Sequence, residues 1–415
     1  MELNRNSNKV LFLFCTSFPY LDGEIYLEDE LKVIASRFNK ILIFTMAKGK
    51  GKAREIPKNA EVIHVDLERV NPKWFFIKSL FSFRILIREM MDMRVMGVPW
   101  NSITLKDAFW TLKRGFQLEQ IIHSYLTENR SKSIVLYSYW NNYLAFGISR
   151  IKGESIKTIA RGHGFDVFFE RLPFSYHPFI RTKIKNLNHL VICSDFGCRY
   201  LMEKEQFRNM KSLSVSKLGV LGTTKKTINI QKRKLTILTI SYFVELKRLP
   251  LLAEALALNE EFDLSWIHIG EGFTKVEEYK DYLKGILSNN SRVEVSFRGN
   301  LTRNEVLKTF EQEPIDLLVN TSSTEGLPVS IMEAFSFGIP AIATNVGGVP
   351  EIVNSSNGYL LQANPTPIEI WHALRSYFLL SETDQAQLKD NAFNTWLENY
   401  NATINYTRFA EQYLN

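Results

Sequence analysis

The sequence predicts an α/β protein built as two successive Rossmann-like domains, each a parallel sheet flanked by helices. Short apolar runs alternate with helical patterns twice along the chain, the way strand–helix–strand units of a parallel sheet are written. A length of 415 residues exceeds what one typical core organises and suits two domains of about 200 residues. Gly-punctuated turns follow several of the apolar runs, and such turns bring backbone close to a ligand at the carboxyl end of a parallel strand. The predicted divisions are 1–221, 222–390 and a terminal helix over 391–415 that crosses back to the first domain. The carboxyl ends of both sheets are expected to face a central cleft.

Composition narrows the function classes. With 45% apolar and 23% charged residues, the chain reads as globular rather than disordered. Cys15, Cys193 and Cys198 follow no metal-ligand spacing, which suits a reducing compartment, and Cys15 sits in an apolar strand as a buried thiol. The apolar start at Val10 to Phe14 is too short to span a bilayer, and Ile41 to Thr45 repeats its pattern, so both read as core strands rather than a leader. Residues 1–220 carry 34 Lys+Arg against 21 Asp+Glu, a net of +13, and the remainder carry a net of −6. A basic first half suits an anionic acceptor or an anionic membrane. No Arg-rich helix, zinc finger or aromatic RNA-binding pair points to nucleic acid.

Taken in order, Val10 to Cys15 is the first strand and Gly23 with Glu24 lies in the turn behind it, before a helix over Ile25 to Ile34. Ile41 to Thr45 and Val62 to Val65 continue the sheet. From Asn71 to Trp100, aromatic and aliphatic residues such as Trp74, Phe76, Phe83 and Ile87 are interleaved with Lys73, Lys78, Arg84 and Arg88. That pattern predicts one or two amphipathic helices. A surface facing an acceptor or a membrane and a buried helical pair with solvated basic edges both remain open. Leu105 to Tyr125 is a further helix, and Ser133 to Tyr137 a strand. Tyr139, Trp140 and Asn141 follow, offering the aromatic faces and amide that suit a sugar ring; ordinary helix-start packing explains them equally well. After Thr158 to Ala160 comes RGHGFDVFFER, where glycines flank His163 and Asp166 follows three residues later. Asp166 either fixes that loop or receives an acceptor hydroxyl. Leu190 to Ser194 is a strand with Ser194 at its end, a candidate for positioning donor or acceptor. Lys217 to Val220 closes the first half, and Leu221 to Lys234 reads as a linker.

The second half begins with the strand Leu235 to Ile240, followed by Lys247 and Arg248 at the start of an apolar helix. Trp266 to Ile269 and Val293 to Phe297 are strands, with Gly270-Glu271-Gly272 and Arg298-Gly299-Asn300-Leu301 at their ends. Arg298 is placed to stack on or border a planar base. The most informative stretch is DLLVNTSSTEGLPVSIMEAFSFGIPAIATNVGGVPEIV, beginning at Asp316. A strand leads into a turn, a helix starts at about Pro328, Gly338 and Pro340 end it, and Gly347-Gly348 forms the next turn. Glu325 lies before the helix and Glu333 within it. The amides of Gly326, Leu327 and Val329 suit a diphosphate at the helix N-terminus, and the carboxylates suit sugar hydroxyls. The combination points to a nucleotide-sugar. Tyr359 to Leu361 is a last strand, and Pro367 to Leu380 and Gln385 to Tyr413 are terminal helices.

The segment EGLPVSIMEAFSFGIPAIATNVGGVPEIV resembles the nucleotide-sugar signature of retaining glycosyltransferases of the GT-B fold, in particular glycosyltransferase family 4. His-Gly-x-Asp at 163–166 is similar to the corresponding loop of those that build bacterial exopolysaccharides. The resemblance covers nearly the whole chain and weakens over 50–130. It implies that Glu333 holds the ribose, that Glu325 holds the hexose, and that Lys247 clamps the diphosphate. It also implies that His163 meets a donor-sugar hydroxyl or the reacting centre, that Gly23 approaches the ligand, and that backbone near 298–301 reads the base. The usual glycine pair of the first loop is reduced to Asp22-Gly23, and the arginine usual before the clamp lysine is Tyr242 here, for which Arg248 compensates only if turned inward.

The expected reaction is therefore transfer of a hexosyl group, with retention, from a nucleotide diphosphate sugar to a hydroxyl of a glycan or glycolipid. A UDP-hexose donor and a cytoplasmic setting, at the inner face of the cell membrane, follow from the resemblance. No Asp-x-Asp clamp is present, so no metal and no further cofactor is expected. A non-catalytic nucleotide-sugar-binding subunit and, behind it, a nucleotide-sugar epimerase are the rival readings.

Overall fold

The computed structural model describes residues 8–20, 23–49, 53–69, 72–129, 132–204, 207–208, 210–222, 234–272 and 275–415. Asp22, Asn71 and most of the expected linker, 223–233, lie outside them, as do the side chains of 71–82. The chain divides into two compact units, one running up to Leu218 and including Thr403–Asn415, the other Gly219–Ala402.

In the first unit, the strands β1 (Lys9–Cys15), β2 (Lys40–Thr45), β3 (Ala60–His64), β4 (Ser133–Ser138), β5 (Ile156–Gly162), β6 (His189–Ile192) and β7 (Leu213–Val215) form one sheet in the order β3-β2-β1-β4-β5-β6-β7. Every pairing is parallel, with Phe14 opposite Phe44 on one side and Ser138 on the other. The helices α1 (Leu27–Ile34), α2 (Pro72–Val95), α3 (Ser102–Glu128), α4 (Tyr143–Ser149), α5 (Gly164–Val167), α6 (Ile180–Asn186) and α7 (Asp195–Glu203) lie between these strands in sequence. Covering both faces explains why β1 reads KVLFLFC, a nearly unbroken apolar run with Val10 to Cys15 all buried, rather than an alternating one.

In the second unit, β8 (Lys234–Ile240), β9 (Asp263–Ile269), β10 (Val293–Phe297), β11 (Leu317–Asn320), β12 (Ala341–Thr344) and β13 (Gly358–Leu361) pair in parallel in the order β10-β9-β8-β11-β12-β13. The helices are α8 (Leu249–Ala257), α9 (Val276–Leu287), α10 (Arg303–Gln312), α11 (Val329–Ser336), α12 (Pro367–Phe378), α13 (Glu382–Asn399) and α14 (Ala402–Phe409). Trp266, Leu252, Leu256 and Leu374 fill the core between sheet and helices. Both sheets reverse their strand order once, between β1 and β4 and between β8 and β11. There, successive connections leave to opposite sides and open a crevice at the carboxyl ends of the strands. The fold is GT-B, two Rossmann-like α/β units in tandem.

A single helix spans Pro72–Val95, within the one or two expected. Two details differ from the sequence reading. The terminal helical run breaks at Tyr400, because Asn401 bridges to Val220 and the Val220 amide bonds the Tyr400 carbonyl. Helix α11 starts at Val329, with Pro328 at the cap in extended geometry (ψ 109°) rather than inside the first turn. Among the described residues, no helix is long and apolar enough to cross a membrane.

One turn fixes the loop that the site uses. Gly347 has φ +55°, and a Cβ there would lie 1.9 Å from the Glu325 carbonyl oxygen, while the Gly348 amide donates to the Gly326 carbonyl at 2.8 Å. Gly347→Ala combines left-handed strain with a backbone clash and is expected to lower stability by about 1–3 kcal/mol. An unchanged thermal midpoint would show that the turn does not brace the loop.

Candidate functional site

In the second unit, β8 and β11 are neighbours, so the loops leaving their carboxyl ends meet. The β8 exit carries Lys247 and the β11 exit carries Glu325. The Lys247 ammonium lies 2.6 Å from Glu325 Oε1, and the same oxygen accepts from Ser322 Oγ at 2.6 Å and from Asn320 Nδ2 at 3.1 Å. Burial alone would push this carboxyl up, but the charge and hydrogen bond of Lys247, with Ser322 and Asn320, hold it below the usual carboxylate value. Glu325 is thus a fixed carboxylate whose donors within the chain converge on one oxygen.

Directly after it, α11 begins without a side-chain cap. Among the described residues, the amides of Gly326, Leu327 and Val329 donate to no protein acceptor, the arrangement that receives an anion at a helix N-terminus. Glu333, five residues into α11, is 4% exposed. It faces Arg303 of α10, with Nε 3.7 Å from Glu333 Oε1. Because α10 and α11 each follow a parallel strand, both helices start at the carboxyl edge of the sheet.

Arg248 does not turn inward. With backbone in the left-handed region (φ +49°), its guanidinium donates to the carbonyls of Thr321, Ser322 and Ala363 and to Asn364 Oδ1. It splints the Glu325 loop, with its guanidinium committed to those acceptors. Arg298 pairs with Glu313 at 3.1 Å at the surface. Of the backbone expected to read a base, the Arg298 amide bonds the His268 carbonyl and the Gly299 carbonyl accepts from Gly270, so those two groups are already used.

In the first unit, the corresponding crevice lies at the exits of β1 and β4. Glu24, in left-handed backbone (φ +57°), receives the amides of Thr16, Ser17 and Phe18, the hydroxyls of Thr16 and Ser17, and the Trp140 indole N–H. Six donors leave this carboxylate no capacity for an acceptor, so it closes the β1 loop instead. Gly23 supplies a close approach to the loop itself, since a Cβ there would meet Ser17 Oγ at 2.4 Å. The Tyr139 and Trp140 rings each lie 4.7 Å from the His163 ring, both tilted.

The His163 ring nitrogens are shielded and have no hydrogen-bond partner among the described residues. Burial, with the nearby Arg161 guanidinium, lowers this imidazole to about 3, so it is neutral. Asp166 fixes the loop: its oxygens accept the amides of His163 and Asn141, each at 2.6 Å, and burial raises its carboxyl to about 7. Asn141 also donates to the Asp166 carbonyl and contacts His177, so it is a strut rather than an acceptor contact. Lys183, fully buried, donates to the Asn141 carbonyl at 2.9 Å and lies 3.1 Å from His177 Nδ1. Ser194 caps α7 by accepting the Gly197 amide at 3.0 Å, which fixes the oxygen and leaves its O–H as a donor.

The sequence reading missed Ser322, Asn320, Arg303, Lys183 and His177. A signal existed for Arg303. Thr302 and Glu305 form a capping box, which places Arg303 at the first helical position after a strand. Among the described residues, no group of three or more His, Cys, Asp or Glu is disposed to hold a metal ion.

Residues 222–395, which contain Lys247, Arg303, Glu325 and Glu333, match the family described as Glycosyl transferases group 1. The second unit carries a group 1 glycosyltransferase domain. Relatives of this chain include the N-acetyl-alpha-D-glucosaminyl L-malate synthase of Bacillus anthracis, 27% identical over 34% of this chain and 36% of its own length. The putative colanic acid biosynthesis glycosyltransferase WcaL of Salmonella typhimurium is 24% identical over 49% of this chain and 50% of its own. The chain thus spans half or less of the curated relatives it matches. Among solved structures, Anabaena HepE in complex with UDP and glucose superposes with a TM-score of 0.64 at 15% identity, covering 97% of this chain and 98% of that one. The sucrose-phosphate synthase of Thermosynechococcus elongatus gives 0.70 at 12% identity, over 98% of each chain. These likenesses, around a group 1 domain, extend the shared fold over the whole chain.

The depressed His163 value carries a sign. The stability it contributes is fully present above its ordinary pH of 6.5 and is lost as pH falls toward 3, because only the unfolded chain takes up the proton in that window. In an NMR titration its ring signals are expected to stay at the neutral position between about pH 5 and 8; a midpoint near 6.5 would show a ring open to water.

Proposed function

We propose that this protein transfers a hexosyl group, with retention, from a nucleotide diphosphate sugar to a hydroxyl of a glycan or lipid-linked glycan. The donor taken here is a UDP-hexose, and the setting is the cytoplasmic side of a membrane. The observation that carries the proposal is the joining of Lys247 and Glu325 beside the open amides of α11. A cation, a fixed carboxylate and free backbone donors at one strand end match the diphosphate, hydroxyls and leaving charge of such a donor.

In this mechanism the bond between the anomeric carbon and the phosphate oxygen breaks as the sugar gains oxocarbenium character. Lys247 and the amides of Gly326, Leu327 and Val329 stabilise the charge that develops on the leaving diphosphate. Glu325 accepts a hexose hydroxyl through its second oxygen, and Glu333 accepts the ribose hydroxyls with Arg303 beside it. Binding becomes orientation of the reacting carbon. The acceptor oxygen attacks the face that the phosphate leaves, and its proton passes to the departing phosphate oxygen. The roles assigned to the first unit are that His163, neutral, donates from one ring nitrogen to a donor-sugar hydroxyl and that Gly23 keeps the first loop free of a side chain. HepE, whose structure was solved with UDP and glucose, supports a uridine nucleotide as the first donor to test.

One observation favours a rival. With Tyr242 in place of the usual arginine and Arg248 tied to carbonyls, the phosphate grip has one side-chain cation fewer, as a non-catalytic nucleotide-sugar-binding subunit would tolerate. Acceptor-dependent release of nucleotide, screened over UDP- and GDP-hexoses with lipid-linked and polysaccharide acceptors, separates the two. Binding without consumption of donor would sink the transferase reading, and a released epimer without acceptor would favour epimerase chemistry. Lys247→Ala is expected to cut kcat by on the order of 100-fold. Glu333→Ala should weaken donor binding more than Glu325→Ala; equal donor affinity in Glu333→Ala and the parent would remove the ribose assignment.

A further inference from the structure

Helices α2 and α3 pack on each other and on the first unit, and the described side chains that do so share one face. Met93, Val98, Ala108, Leu112 and Phe116 are buried against Phe146, Tyr176 and Phe179. The opposite face of α2 carries Phe83, Ile87, Met91 and Val95, each four residues from the next and so stacked along one side of the helix. Phe83 and Val95 are 67% exposed and Met91 62%, and the stripe continues through the exposed Trp100, Ile103 and Trp110.

The charges on the same pair of helices are sorted by sign. Arg84, Arg88, Arg94, Lys106 and Arg114 are exposed. Of the acids, Glu89 and Asp92 are turned in. Glu89 receives the Tyr176 hydroxyl at 2.8 Å and the Phe179 amide at 2.7 Å, and Asp92 pairs with Arg181. Asp107 is the acid left exposed between Phe83 and Arg114. Lys113 and Arg114 lie over the Trp110 ring, 4.9 and 5.5 Å from its centre. On α2, Phe83, Arg84, Ile87, Arg88, Met91, Arg94 and Val95 share an arc of about 140°.

We infer that this outward face of α2 and α3 docks on an anionic lipid bilayer, its apolar stripe in the acyl boundary and its arginines at the headgroups. A protein partner would require its own acidic surface around an apolar ridge, whereas a bilayer presents anionic headgroups over a hydrocarbon layer along the full length of the stripe. Apolar side chains flanked by cations on one helical arc are the pattern of an interfacial helix rather than a spanning one. The basic excess of residues 1–220, a net of +13, adds to the attraction. This deepens the proposed function, on which a membrane-borne acceptor rests, but the docking itself requires no catalysis.

The test is co-sedimentation of the full chain with vesicles of phosphatidylcholine, with and without phosphatidylglycerol, at low and high salt, with UDP affinity measured on the same samples. The chain is expected to bind the anionic vesicles and to release from them at high salt. Each exposed basic side chain near such a surface is worth on the order of fivefold in partitioning. Arg84→Glu with Arg88→Glu and Arg94→Glu should therefore lower binding by at least about 100-fold. Phe83→Gln with Met91→Gln and Val95→Gln should abolish binding while leaving the circular dichroism spectrum and UDP affinity unchanged. No binding of the parent at low salt, or binding indifferent to both variants, would overturn the inference. So would a concentration-dependent oligomer of the parent that the apolar variant dissolves, which would assign the face to a second copy of the chain. Loss of UDP affinity with vesicle binding intact would count against the donor reading alone.

Discussion

The contact between Lys247 and Glu325 organises the second unit's crevice. An exposed ion pair is ordinarily worth little, and burying a carboxylate costs more than one cation returns. Here the cost is offset by placing Ser322 and Asn320 on the same oxygen, so that the carboxylate is held by three donors from two loops. Those loops are in turn held from outside: Arg248 bonds the carbonyls of Thr321 and Ser322, and the Gly347-Gly348 turn presses against Glu325 and Gly326. The loop backbone is therefore fixed independently of Lys247, which leaves the ammonium free to exchange its partner for a phosphate. Glu325 would stay aligned through Ser322 and Asn320 during such an exchange.

The first unit meets the same topological position with different chemistry. Its β1 loop offers three successive amides, an anion-binding arrangement, yet the anion is the protein's own Glu24. Left-handed backbone at Glu24 costs on the order of 1–3 kcal/mol, which hydrogen bonds to a charged group, at about 1.5–3 kcal/mol each, readily offset. The Trp140 indole joins this carboxylate, and its ring backs His163. The loop therefore transmits position rather than charge. Behind it, Asp166, Asn141, His177 and Lys183 form a buried polar network in which Asp166 and Lys183 are each shifted to about 7, the acid up and the base down, because burial penalises both charged forms. Such a network specifies one geometry for the His163 backbone, since any shift would strand a buried polar group.

How much of this was legible in the sequence depended on whether a residue's role was local. The strands, the α11 turn and the Glu325 loop were readable because periodicity, Gly and Pro act within a few positions. Asp166 was readable as a loop-fixing residue because it caps its own turn. Glu24 and Asn141 could not be assigned between ligand and loop for a shared reason. A polar residue at a strand end suits a ligand and a structural hydrogen bond equally, and a partner that decides is distant in sequence: Trp140 for Glu24, Lys183 for Asn141. Arg248 shows the same limit, since its acceptors lie more than seventy residues away, at Thr321, Ser322 and Ala363. Lys183 and His177 could not be found by pattern, because a lysine in a short helix reads as solvated until the fold buries it.

The charge balance at the proposed phosphate position follows from these assignments. With Tyr242 where related enzymes are expected to hold an arginine, and with Arg248 committed to carbonyls, Lys247 is the side-chain cation in contact with Glu325. The N-terminus of α11 contributes about half a positive charge through its uncapped amides. These donors are fixed by backbone and need no reorganisation as charge develops, so they stabilise a leaving group more than their size suggests. Arg303 adds a cation at the same edge of the sheet, but its charge is partly neutralised by Glu333 at 3.7 Å. On the proposed reading, a ribose that takes Glu333 as its hydrogen-bond acceptor would loosen that pairing and release the Arg303 charge toward the nucleotide. Recognition of the sugar half of the donor would thereby restore part of the phosphate grip that the missing arginine removes.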